Sequence, residues 1–126
     1  MADDLFESGK ALRTHMFGAK HAVGQLEAAT DFNRPLQEWI TRACFGEAWH
    51  RPGLDHKTRS LITLSMLTAM SRENEIKVHV KGAIANGATK EEIREVLMHS
   101  IIYCGVPRAV AAFRSAVEAL KELGLE

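Results

Sequence analysis

The stretch SLITLSMLTAMS, Ser60 to Ser71, carries no charge and is punctuated by hydroxyls rather than by turn residues. A bilayer-spanning helix needs roughly 20 apolar residues. This segment is therefore too short to cross a membrane and reads as a buried helix. Its Ser and Thr side chains can bond back to carbonyls of the preceding turn, so the helix can be covered on most sides by neighbours or by another subunit. The rest of the chain offers no sheet to cover it. Apolar residues recur at helical spacing from end to end, and no run alternates apolar and polar between turn signals. An all-α fold follows.

Caps and stops divide the chain into about six helices. The first is expected over about Asp4 to Met16, followed by an irregular Gly-containing stretch through Asp31. A second runs from near Pro35 to Glu47, with Asn33 as a cap and Leu36, Trp39, Ile40 and Ala43 on one face. EAWHRPGLD, with Pro52 and Gly53, is a connection. Asp55 caps a third helix to about Met70, and Ser71 caps a fourth that stops at Asn86-Gly87. Thr89 and Glu92 form a capping box opening a fifth helix, whose core face carries Ile93, Val96, Leu97 and Ile101. Gly105 and Pro107 separate it from a sixth, which presents Val110, Phe113, Val117 and Leu120. At 126 residues these helices make one domain, 1–126, with 1–31 as a helical extension and 32–123 as the core.

Charge narrows the partners. Sixteen Lys plus Arg balance sixteen Asp plus Glu, leaving no net field for nucleic acid or an anionic membrane. MADDLFESGK lacks the basic flank and apolar run of a secretory signal, so the cytoplasm is the expected compartment. Cys44 and Cys104 form neither a CxxC pair nor a metal-ligand cluster and read as two small core residues. The histidines His15, His21, His50, His56 and His99 show no paired ligand spacing, so no metal site is expected.

The stretch RENEIKVHV is either a solvated helix start or a catalytic row. At about 100° per residue, Arg72, Glu75 and His79 fall on one stripe of the fourth helix, beside Ile76 and Val80. A histidine on an apolar face is commonly a hydrogen-bonded core residue. Here a carboxylate one turn earlier can fix its tautomer, and a guanidinium stands near the helix start. Glu73 points away from the stripe and is explained by the helix dipole alone.

Three segments, EAWHRPGL followed by RSL, then RENEIKVH, then YCGVP, resemble the 4-carboxymuconolactone decarboxylase family between about Phe32 and Ala119. The resemblance implies the helical fold shared with alkylhydroperoxidase-like proteins. The redox CxxC of those proteins falls here on Arg72 and Glu75, which opposes thiol peroxidase chemistry. It further implies cofactor-free loss of carbon dioxide from a dicarboxylate butenolide, in the protocatechuate branch of the β-ketoadipate pathway of aromatic catabolism. A homo-oligomeric ring, a hexamer, is the implied assembly. His79 and Glu47 become the acid-base candidates, with the proton-delivering role open between them. Arg72, Arg51 and Arg59 are candidates for carboxylate recognition, with Glu75, Trp49 and Tyr103 at the substrate. Arg51 and Arg59 can equally be solvated charges, and Trp49 and Tyr103 packing residues. Two other functions compete: a redox protein of the same fold, and a non-catalytic helical oligomer whose charged row belongs to an interface.

Overall fold

The computed structural model describes residues 2–126, with side chains from Asp4 onward. Among the described residues the ordered segments are all helical. The chain divides into two compact units, Met1–His56 and Lys57–Glu126.

In the first unit, α1 (Ala2–Phe17) is followed after Gly18 by α2 (Ala19–Glu27). The expected irregular stretch is thus largely helical. Gly18, at φ 89°, breaks the chain direction, and the helix resumes behind it. α3 (Arg34–Trp39) runs without a break into a π-helix, Ile40–Glu47, and a single 3₁₀ turn, Ala48–His50. The expected extent of this helix was right, but its geometry was not. Asn33 precedes α3 without capping it, because its side-chain oxygen accepts from the Thr30 amide at 2.7 Å.

The packing of α1 accounts for the departure. A Cβ on Gly9 would fall on the Thr41 carbonyl, and one on Gly46 on the Leu5 carbonyl, so the two backbones touch. Above this crossing Arg13, only 6% exposed, donates to the Thr41 hydroxyl at 2.9 Å and to Gln37 at 3.3 Å. Its guanidinium lies over the Phe45 ring. Leu36 and Trp39, expected to share one face with Ile40 and Ala43, are 53% and 69% exposed. The face that meets α1 is the one carrying Gln37 and Thr41, both bonded to Arg13, and at 3.6 residues per turn Leu36 and Trp39 lie off it.

The second unit is regular: α4 (His56–Ala69), α5 (Glu73–Ala85), α6 (Lys90–Cys104) and α7 (Val106–Glu122). α4 buries the stripe Ser60, Leu64 and Thr68, while Met66 and Met70 stay exposed, so in a single chain it is not covered on most sides. Its hydroxyls bond back as expected, Thr68 to Leu64 at 2.8 Å and Thr63 to Arg59 at 2.8 Å. The capping box at Thr89 and Glu92 is complete.

Ser71 does not cap α5. It sits at φ 58°, and its hydroxyl accepts from Arg108 Nε at 3.1 Å; Arg72 takes the cap position instead. On α7 the core face is built from Ala109, Ala112, Ala116, Ala119 and Leu120, whereas Val110 and Val117 are exposed. Alanines let α7 approach its neighbours closely, and that displaces the larger side chains from the seam.

Candidate active site

On α5 the expected row is present. Arg72 donates to Glu75 at 2.5 Å, an exposed pair one helical turn apart. That bond is the main cause holding the Glu75 carboxyl below its usual range, with the His79 charge a weaker contributor. His79, one turn further, is half-buried, and its Nδ1 is shielded from solvent. Ile76 and Val80 beside it are fully in the core, so the ring stands at the edge between apolar packing and the charged pair. Such a position suits proton transfer, since one nitrogen is shielded from water and the ring borders the charged pair.

The remaining second-unit candidates are placed separately. Arg59 is half-buried on α4. Tyr103 is 79% exposed, and its ring lies 5.2 Å from His99; it does not pack in the core of this chain.

The first-unit candidates cluster in and beside the connection. Glu47 ends the π-helix and is exposed. Trp49 is 7% exposed, stacks on Phe45 at 5.8 Å, and gives its indole N–H to the Cys44 sulfur. Arg51 lines an open bowl of about 370 Å³ together with Trp49, His50, Asp55 and His56. The structure thus joins Trp49 with Arg51 in one unit, and Arg72 with Glu75 and His79 in the other.

Sequence reading missed the two bowl histidines. His50 and His56 were set aside for lack of ligand spacing, yet their rings lie 5.2 Å apart. The signal was available: Pro52 and Gly53 between them fold the chain back, so separation in sequence ceased to measure separation in space. Among the described residues no group of three His, Cys, Asp or Glu could hold a metal ion, and no helix is long and apolar enough to cross a membrane. Cys44 and Cys104 are free and half-buried. Burial pushes the Cys44 thiol up, away from the thiolate a redox cycle needs.

The sequence matches the carboxymuconolactone decarboxylase family over residues 34–118, a span that contains every candidate named above. It is 41% identical over 120 residues to a 4-carboxymuconolactone decarboxylase of Acinetobacter baylyi, covering 95% of this chain and 90% of that one. It is 43% identical over 108 residues to a nitrosuccinic acid decarboxylase of Metarhizium robertsii, covering 86% and 76% respectively. A match across both units, at such identity and coverage, settles the lineage: the chain belongs to the carboxymuconolactone decarboxylase family.

Proposed function

We propose that this chain is a carboxy-lyase that converts 4-carboxymuconolactone to the β-ketoadipate enol-lactone without a cofactor. The observation that carries the reading is the likeness, over 95% of the chain, to a decarboxylase of that substrate. Within that likeness, α5 lines up a guanidinium, a carboxylate and a half-buried imidazole.

The chemistry needs little more. When the ring carboxylate leaves as carbon dioxide, its bonding pair passes through the ring alkene into the lactone carbonyl and forms a dienolate. A proton then returns to the carbon next to that carbonyl. The substrate is its own electron sink, so the protein has to orient two carboxylates, stabilise the oxyanion and supply the proton. His79 and Glu47 are the proton candidates. Arg72, Arg51 and Arg59 are the carboxylate partners, because a guanidinium grips a carboxylate with two parallel bonds.

A second substrate has its own support in the nitrosuccinic acid decarboxylase, 43% identical to this chain. In nitrosuccinate the nitro group takes the place of the butenolide as electron sink. The rest is common to both molecules: a carbon bearing the departing carboxylate, joined to a CH₂–COO⁻ arm that is kept. Both readings are one reaction class.

Residues 1–126 act as one catalytic domain in this proposal, in the cytoplasm and in the protocatechuate branch of aromatic catabolism. The working form is a homo-oligomer, a hexameric ring. The exposed apolar side chains Ile102, Tyr103, Val106 and Val110 around the junction of α6 and α7 support it. A monomer by light scattering at micromolar concentration overturns the assembly.

The decisive assay is carbon dioxide release by purified protein from each substrate. Turnover of the lactone supports the proposal, turnover of nitrosuccinate alone moves it to the second reading, and turnover of neither removes both. In the active enzyme, His79→Ala is expected to cut kcat by about 10²-fold or more, the usual scale of acid-base catalysis, and Glu47→Gln by a similar factor. Near-normal turnover in either folded variant takes that residue out of the proton path.

A further inference from the structure

The bowl in the first unit has a construction that the proton chemistry does not use. Its wall is Trp49, and that ring is fixed on three sides. Phe45 stacks on it at an interplanar angle of 13°, Cys44 accepts its N–H, and the His56 ring stands edge-on at 6.3 Å. His50 in turn meets His56 at 84°. Arg51 completes the rim. A rigid apolar wall facing several N–H donors is the composition of a small-molecule site, in which a few placed polar groups set orientation. Asp55, the one acid in the lining, immediately precedes the first turn of α4, where an acid is favoured by the helix itself.

The two candidate substrates differ where the electrons go and agree in the arm that stays behind. Recognition of that arm calls for a short apolar surface against its CH₂ and donors for a carboxylate whose charge does not change during the reaction. Trp49 offers the first; Arg51, His50 and His56 offer the second. We propose that this bowl is the subsite for the retained carboxymethyl group, with His50 and His56 as specificity residues that contact the arm and take no part in proton transfer. The inference rests on the decarboxylase reading above.

An interaction made equally in the ground and transition states raises KM when removed and leaves kcat alone. His56→Asn, His50→Asn and Arg51→Gln are therefore expected to raise KM for the lactone by about 10-fold or more, with kcat within about 3-fold of wild type. His50 and Arg51 are exposed, so the fold tolerates those changes. Because the arm is shared, the same variants are expected to carry the same KM penalty on whichever of the lactone and nitrosuccinate the wild type turns over.

The discriminating probe is a butenolide that keeps the departing carboxylate but bears a methyl group in place of the carboxymethyl arm. The wild type is expected to lose at least as much kcat/KM on this probe as any one variant loses on the full substrate, and the variants to match the wild type on the probe. Equal penalties for the variants with and without the arm overturn the subsite. So does a fall in kcat at unchanged KM. Wild-type enzyme inactive on both substrates defeats the underlying function reading as well, a result distinct from an active wild type whose bowl variants behave normally.

Discussion

The two units solve the same problem, burying apolar surface between helices, by opposite means. Lys57–Glu126 uses regular α-helices around an aliphatic and alanine core, with Leu64, Ile76, Val80, Ile93 and Leu97 at its centre. Met1–His56 relies on aromatic contacts, Phe17 edge-on to Phe45 and Phe45 stacked on Trp49, a buried arginine and bare backbone contact. The difference teaches where tolerance lies. An aliphatic core resists by volume, and its losses scale with the cavity left behind. A backbone contact resists by exclusion, because nothing can be added to it.

The largest expected effect is in the second unit. Leu64→Ala removes a fully buried side chain at the centre of its core and is expected to cost about 2–5 kcal/mol, read as a fall in the urea midpoint followed by far-UV circular dichroism. A cost below about 1 kcal/mol would mean that the core collapses onto the gap, and the contrast with the first unit would weaken. Next comes Gly9→Ala, which drives a methyl group into the Thr41 carbonyl. Overpacking of this kind costs about 1–3 kcal/mol. Tryptophan fluorescence is the readout, since Trp39 and Trp49, the two tryptophans of the chain, both lie in the first unit. An unchanged midpoint would show that the crossing can slide.

Legibility in the sequence divides along the same line. α6 was readable to the residue because the TKEE box satisfies two N–H groups by local bonds, Thr89 to Glu92 at 3.0 Å and the return bond at 2.9 Å. The Arg72–Glu75–His79 row was readable because α5 keeps the α period throughout. The π-helix was not, since it depends on what α1 places against residues 41 and 46, and that contact is tertiary. The alanine face of α7 escaped for a related reason: pattern reading favours large apolar residues, whereas close packing selected small ones. His50 and His56 escaped a search by ligand spacing because the Pro52-Gly53 turn, itself visible in the sequence, brings them together in space.

A smaller test sharpens the regular side of the comparison. Thr89→Ala removes the side-chain acceptor of the capping box and is expected to cost about 0.5–2 kcal/mol, measured by thermal melting against wild type. No change would mean that tertiary packing alone fixes the start of α6.

The smallest effect is electrostatic. Glu122 on α7 bridges to Lys77 and Lys81 of α5, and these ammonium groups, Lys77 first, hold its carboxyl down from 4.5 to about 2. A depressed folded-state pKa contributes stability that is complete above the unfolded value and is lost as pH falls through the folded one. The advantage of wild type over Glu122→Gln is therefore expected to be constant above about pH 4.5, to shrink below it, and to vanish near pH 2. The group is exposed, so the effect is modest and declines with added salt. An advantage that persists at pH 2 would assign it to packing.

The crossing of α1 with the π-helix fixes more than a distance. On α1 the touching positions are Leu5 and Gly9, one α turn apart; on the partner they are Thr41 and Gly46, one π turn apart. An ordinary α turn from Thr41 would bring Phe45 to the contact, and its ring cannot enter a gap that excludes a methyl group. The wider i→i+5 turn skips Phe45 and delivers the glycine. The residue count between Thr41 and Gly46 is thus part of the fold's meshing, like the tooth count of a gear. This segment accepts neither an insertion nor a deletion, however conservative the residues on either side.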